Sequence, residues 1–303
     1  MPRLTAPLLP LLAVLLSLPA HALDPAPAAP MKLAEYMALG GPAPSATYRY
    51  GNAPSQYAEL FLPPGQGPFP VAVLVHGGCW TKEFGGITQL RNLAGALAAR
   101  GIASWNVEYR RVDEPGGGYP GTYQDMTGAL DTLAAQAKSQ PLDLRRLVAV
   151  GHSAGGQLVQ WMAARSRIPA SSPLYAPGSL PLRHVVSLGG LADLRREQAL
   201  IKSSCGRDLA ELAGSPSGAR PDVFSDTNAG DLLPSGGHTI LVTGELDKVS
   251  PPRVAQDFAA RARAAGDRAE VVILPGASHY DEVAASSASW PQVAQAIEKA
   301  LKP

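Results

Sequence analysis

Charge is scarce in this sequence: Asp, Glu, Lys and Arg make up 17% of 303 residues, against roughly a quarter in ordinary soluble domains. What charge there is cancels, with 26 Lys and Arg against 25 Asp and Glu and a formal balance of +1. Binding a phosphate backbone or an anionic membrane surface needs a basic excess, so nucleic acid and polybasic membrane contact are excluded as functions. Cysteine is nearly absent, at two residues. No C-x-x-C, H-x-x-x-H or carboxylate cluster accompanies the pair, so no metal site is expected. A period is missing too: the 31 Gly and 29 Pro recur at no fixed interval, which removes collagen-like and repeat architectures. Apolar residues, by contrast, reach 46%, far above what a disordered chain carries. A globular domain with a filled core remains.

Part of that hydrophobicity sits at the N-terminus. Met1-Pro2-Arg3 precedes an apolar run over residues 8–18 and then Pro19-Ala20-His21-Ala22. A positive start, a short apolar stretch and an Ala-x-Ala site read as a cleavable signal peptide, residues 1–22. The run is too short to span a bilayer, which takes about 20 apolar residues, and it contains Pro10. No Cys follows the site to take a lipid. The expectation is an exported protein, periplasmic or secreted, with no stable membrane insertion after cleavage. Residues 23–45 read as an N-terminal linker or arm, and 46–303 as one catalytic domain, since no second block of composition appears. In an oxidising compartment Cys79 and Cys205 allow one long-loop disulfide. They equally allow two buried free thiols, small hydrophobes in effect.

Beyond the arm, short β-rich runs alternate with longer helical patterns. Strands are predicted at 47–50, 58–62, 71–75, 102–107, 147–150, 185–188, 239–242 and 271–274. The first two read as an antiparallel pair around Gly51-Asn52-Ala53-Pro54. The later runs are almost wholly apolar, as in strands buried on both faces of a parallel sheet. Helical patterns cover 87–100, 122–138, 154–165, 252–265 and 291–301. This alternation predicts a mostly parallel sheet of eight strands with helices on both faces. Two stretches break the rhythm, 110–121 with its Gly116-Gly117-Gly118 run and the polar, turn-rich 191–238. Long insertions of this kind often form lids or binding loops, and both leave from the carboxyl edge of the sheet, where ligands bind.

The strongest motif is Gly151-His152-Ser153-Ala154-Gly155, a G-x-S-x-G between an apolar strand and a helix. Small residues two before and two after the serine let the backbone turn sharply and present the hydroxyl as a nucleophile. A serine needs a base. With His21 in the leader, His76, His152, His184, His238 and His279 remain. His152 is adjacent to the nucleophile and is expected to point elsewhere, while His184 and His238 stand at strand entrances, on the opposite edge. His279, in Ser278-His279-Tyr280 after the last strand, is the predicted base. Asp247 in Gly244-Glu245-Leu246-Asp247 is the predicted orienting carboxylate, with Asp193 and Glu245 as competitors. Oxyanion donors are expected from the backbone of Ala154 and from Gly78 or Cys79, in the turn His76-Gly77-Gly78-Cys79-Trp80. Trp80, Tyr119, His152 and Tyr280 are candidate pocket walls.

These segments carry a resemblance. His76–Trp80 as His-Gly-Gly-x-Trp, Gly-His-Ser-Ala-Gly-Gly from Gly151 to Gly156, Gly244-x-x-Asp247, Ser278-His279 and Asn106-Val107-Glu108-Tyr109-Arg110-Arg111 resemble α/β-hydrolase serine esterases. Within them the sequence is similar to the bacterial feruloyl-esterase-like and kynurenine-formamidase-like branch, near the hormone-sensitive-lipase-like carboxylesterases. The resemblance implies the α/β-hydrolase fold with a short lid insertion, and hydrolysis of a small-molecule ester through an acyl-enzyme. It implies no metal or organic cofactor. Formamidases often carry Tyr before the tryptophan where this chain has Cys79, and export does not suit tryptophan catabolism. Ester cleavage is therefore the expectation, with arylformamidase-type amide cleavage as the alternative. A non-catalytic binding protein on the same scaffold is the third reading, disfavoured because every triad position is filled.

Overall fold

The computed structural model describes residues 29–302; the expected signal peptide lies outside the described residues. Eight strands form one sheet in the order β1-β2-β4-β3-β5-β6-β7-β8. They are β1 (Ala46–Arg49), β2 (Tyr57–Phe61), β3 (Phe69–Val75), β4 (Ala103–Val107), β5 (Leu142–His152), β6 (His184–Leu188), β7 (His238–Gly244) and β8 (Arg268–Leu274). β2 runs antiparallel to β1 and to β4, and every other neighbouring pair is parallel. The helices are α1 (Leu33–Met37), α2 (Arg91–Ala98), α3 (Gly121–Gln136), α4 (Ala154–Ala164), α5 (Gln198–Cys205), α6 (Ala210–Ala213), α7 (Pro252–Ala264) and α8 (Trp290–Ala300). The fold is that of the α/β-hydrolases. Among the described residues, no helix is long and apolar enough to cross a membrane.

Period-two alternation sorts β3 between two cores. Val71, Val73 and Val75 pack with Tyr123, Met126, Leu130, Leu158 and Trp161 of α3 and α4. Ala72 and Leu74 face the other way, onto Leu93 and Leu97 of α2 and Val293 and Ile297 of α8. A strand apolar on both faces needs a helix layer on each, which is why the run 71–75 reads as continuous.

Three elements differ from the sequence reading. β5 begins at Leu142 rather than 147, because a register shift between Pro70 and Val71 lets Leu142 and Asp143 pair with Phe69 and Pro70. The polar Asp143-Leu144-Arg145-Arg146 hid that extension. The helix read over 87–100 opens as a tight 3-10 turn, Ile87–Leu90, before α2; there the Gly86 N–H donates to Gln89 Oε1 and Asn106 takes the Ile87 carbonyl. The insertion 191–238 carries α5 and α6.

Topology then places the cleft. From β3 the chain crosses to β4 on one side, and from β4 it returns across to β5 on the other. Loops leaving β3 and β5 thus diverge at a topological switch point, where open α/β sheets bind their ligands. Registers Val75↔Gly151, His152↔Leu188, Leu188↔Val242 and Gly244↔Leu274 bring four strand ends level. Leu74 is fully buried between sheet and helices, so Leu74→Ala should lower the unfolding free energy by about 2–5 kcal/mol. A urea midpoint that shifts at unchanged slope is the expected reading.

Candidate active site

Ser153 stands where β5 turns into α4, with φ of +53°, a left-handed backbone that a serine adopts only under constraint. Its N–H donates to the Leu188 carbonyl at 2.8 Å. The flanking glycines are required by contact. A Cβ on Gly155 would lie 2.1 Å from the Val75 carbonyl oxygen, and one on Gly151 would lie 2.2 Å from that of Gly155. The helix therefore starts tight against β3, with the serine at its N-terminus.

The His279 loop follows β8. Nδ1–H of His279 donates to Asp247 Oδ2 at 2.7 Å, leaving Nε2 free to accept a proton. Asp247, past the end of β7, takes the Val249 and Ser250 N–H groups on Oδ1 at 2.7 and 2.8 Å. Both side chains are buried. Ser153 and His279 line one cleft of about 520 Å³, open to solvent, with Gly78, Cys79, His152 and Tyr280. The Ser153 hydroxyl has no hydrogen bond to any described residue, as is common before substrate aligns the pair.

The competitors for the carboxylate are occupied elsewhere. Asp193 accepts from Arg196 N–H at 3.2 Å and Asn228 Nδ2 at 3.1 Å, and pairs with Arg261. It caps its loop. Glu245 does reach the histidine loop, but at the Gly276 N–H, 2.9 Å away, and not at the imidazole.

His152 does not point away from the site. Its Nε2–H donates to the carbonyl of His279 at 3.0 Å, and the two rings lie 4.6 Å apart. Burial, then the neighbouring His279, drives its pKa well below the ordinary imidazole value. It stays neutral and pins the loop.

The turn after β3 has positive φ at Gly78 (+103°), Cys79 (+51°) and Trp80 (+55°). The N–H groups of Gly78, Cys79 and Ala154 have no acceptor among the described residues. Below the turn, His76 Nε2 meets Glu108 Oε1 at 2.8 Å and Nδ1–H donates to the Gly77 carbonyl at 2.7 Å. Tyr109 stacks on the ring at 4.4 Å and donates to the His76 carbonyl. Burial alone would raise the Glu108 carboxyl, but His76 and Arg111 beside it bring it below its ordinary value. Above the turn, Cys79 is disulfide-bonded to Cys205 at the end of α5, with Cα atoms 5.5 Å apart. The Gly77–Trp80 turn is thus held from the sheet side by buried hydrogen bonds and the Arg111–Glu108 ion pair, and from the insertion side by a covalent bond.

Two expected walls are absent from the cleft. Trp80 is buried beneath α5 and α6 with Ile201, Leu209 and Leu212, because positive φ turns its side chain inward. Tyr119 hydrogen-bonds Asp226 at 3.1 Å under the Arg220 guanidinium, 3.8 Å from its ring. Tyr280 does line the cleft, and burial followed by the charge of Asp247 raises its phenol above the ordinary value. Leu33 and Tyr36 of α1 form a wall that the sequence reading missed. Tyr36 stacks on Tyr280 at 5.3 Å. Asp281 accepts the Met31 N–H at 3.0 Å and Ser278 donates to the Met31 carbonyl at 2.7 Å, clipping the strap to the histidine loop. Apolar positions 33, 36 and 37 were the available signal, over one turn only.

The class is set by this architecture, an α/β-hydrolase with a serine elbow, a buried His–Asp pair and a left-handed turn facing them. Residues 58–261 match the family model BD-FAE, and the chain belongs to that family. An Arabidopsis thaliana protein described as a probable isoprenylcysteine alpha-carbonyl methylesterase is 27% identical over 249 residues, 77% of this chain and 56% of that protein. The chain thus spans little more than half the length of that relative. A bacterial heroin esterase superposes with a TM-score of 0.64 at 25% identity, over 84% of this chain and 82% of that one. A truncated carbohydrate esterase from gut microbiota reaches 0.69 at 16% identity, over 86% of this chain and all of the other (100%).

The Cys79–Cys205 bond closes a span of 126 positions. Cys205→Ser should cost about 2–5 kcal/mol of stability, measured by denaturant unfolding against the oxidised parent.

Proposed function

We propose that the protein is an exported serine hydrolase that cleaves carboxylic esters of small molecules through an acyl-enzyme. The observation that carries this reading is the 2.7 Å His279–Asp247 hydrogen bond, opening on the cleft that Ser153 also lines. Membership of BD-FAE and the esterase names of the relatives support it.

Ser153 Oγ attacks the acyl carbon while His279 Nε2 takes its proton. Asp247 fixes the tautomer and stabilises the imidazolium. The oxyanion receives N–H groups from Ala154 and from Gly78 or Cys79, donors already in place before charge develops. His279 returns its proton to the leaving alkoxide, and water cleaves the acyl-enzyme by the same route. Leu33, Tyr36, Phe84 and Tyr280 make the cleft largely apolar, which suits an uncharged acyl group. The Ala-x-Ala leader pattern and the Cys79–Cys205 bond support export, since disulfides persist in oxidising compartments.

Ser153→Ala should abolish turnover of short p-nitrophenyl esters with the circular dichroism spectrum unchanged; retained turnover overturns the nucleophile. A substrate panel that includes N-formylkynurenine should favour esters, and faster cleavage of the formamide would reverse that assignment.

A further inference from the structure

We propose that Glu282 is a positioning residue for the reacting pair, its neutral carboxyl donating through Oε2 to the Asp247 carboxylate and locking that group against His279. The proposal rests on the reading of Ser153, Asp247 and His279 given above.

Glu282 lies in the 3-10 turn Asp281–Val283, just past His279, and is 0% exposed. Its Oε1 accepts the N–H of Gly244, the last residue of β7, at 2.6 Å. Its Oε2 converges with the pair beneath Gly189. A Cβ on that glycine would stand 2.3 Å from Glu282 Oε2, 2.8 Å from His279 Nδ1 and 3.0 Å from Asp247 Oδ2. Yet no donor reaches Oε2. Two ionised carboxylates facing each other would bury like charges together, with the Gly244 N–H alone to hold Glu282. One proton resolves this: Oε2–H becomes the donor and Asp247 the acceptor.

The surroundings favour that state. Burial raises the Glu282 carboxyl well above its ordinary value, the Asp247 and Asp281 charges raise it further, and only the Gly244 N–H opposes them. His152, with a ring nitrogen within 4.8 Å of the group, is held neutral by burial and by His279 and offers no cation. Asp247 then accepts from Val249, Ser250, His279 and Glu282, which uses the capacity of a carboxylate and stops it rotating away from the imidazole. The same donor draws charge from Asp247 and tempers its hold on the imidazolium.

The test is the pH dependence of kcat/KM for p-nitrophenyl acetate in wild type, Glu282→Gln and Glu282→Met. The amide keeps a donor for Asp247, so E282Q should lose less than about tenfold in kcat and hold the acid limb in place. Methionine removes the donor, so E282M should lose roughly tenfold or more in kcat at similar KM, with the acid limb moved upward. If Glu282 were an anion, E282Q would move the acid limb down instead. That result overturns the proposal, as does a wild-type profile for E282M. Should E282M not fold, the sign given by E282Q decides. A readout without turnover separates this from the reading beneath it. The infrared difference between wild type and E282Q at neutral pH should contain a protonated-carboxyl C=O band, and its absence refutes the neutral acid whatever Ser153→Ala does to activity.

Discussion

The close approach of three backbones where β5 enters α4 is the constraint from which the rest of the cleft follows. Gly155 sits against the Val75 carbonyl, and Gly151 against Gly155, at distances that no side chain allows. Ser153 is forced into a left-handed conformation at the head of a helix. Strain of that size persists only where surrounding structure over-determines it. Here the surroundings are a parallel sheet packed on both faces, with Leu158 and Trp161 of α4 buried under the strand ends. The same packing that makes the core makes Ser153 prominent.

Around that fixed point the histidine loop is held from several directions. Asp247 takes the imidazole, His152 takes the His279 carbonyl, Glu245 takes the Gly276 amide and Asp281 ties the loop to the N-terminal strap. The contacts arrive from two strand ends, those of β5 and β7, and from the strap. A loop this well tethered keeps the His279 imidazole against Asp247. The strap that completes the tether also forms the wall of the cleft, so shape and alignment are coupled.

The turn after β3 is built on a different plan. His76, Glu108, Arg111 and Tyr109 form a buried polar cluster beneath it, while the disulfide reaches it from α5. Positive φ at three consecutive residues sets the direction of its amides. A buried ion pair contributes little net stability but fixes geometry when fully bonded.

Much of this was legible in the residues themselves. The apolar runs, the glycines around Ser153, the paired glycines after β3 and the order Ser153, Asp247, His279 are local signals, and local signals follow from backbone sterics and burial period. What remained hidden depended on partners far apart in sequence. Trp80 looked like a cleft wall until its positive φ turned it into the core, and Tyr119 until Arg220 and Asp226 claimed it. His152 was expected to face away because neighbours on an elbow diverge, but the His279 carbonyl draws it back. The arm around Tyr36 carried one turn of pattern, too short to mark a helix. Sequence determined the strands of the sheet, the long helices and the candidate site residues, since these are written in spacing and residue type. Only the tertiary structure decided which side chains share the cleft, because β5 and β8 are brought within reach of each other by strand order, a property of the whole sheet.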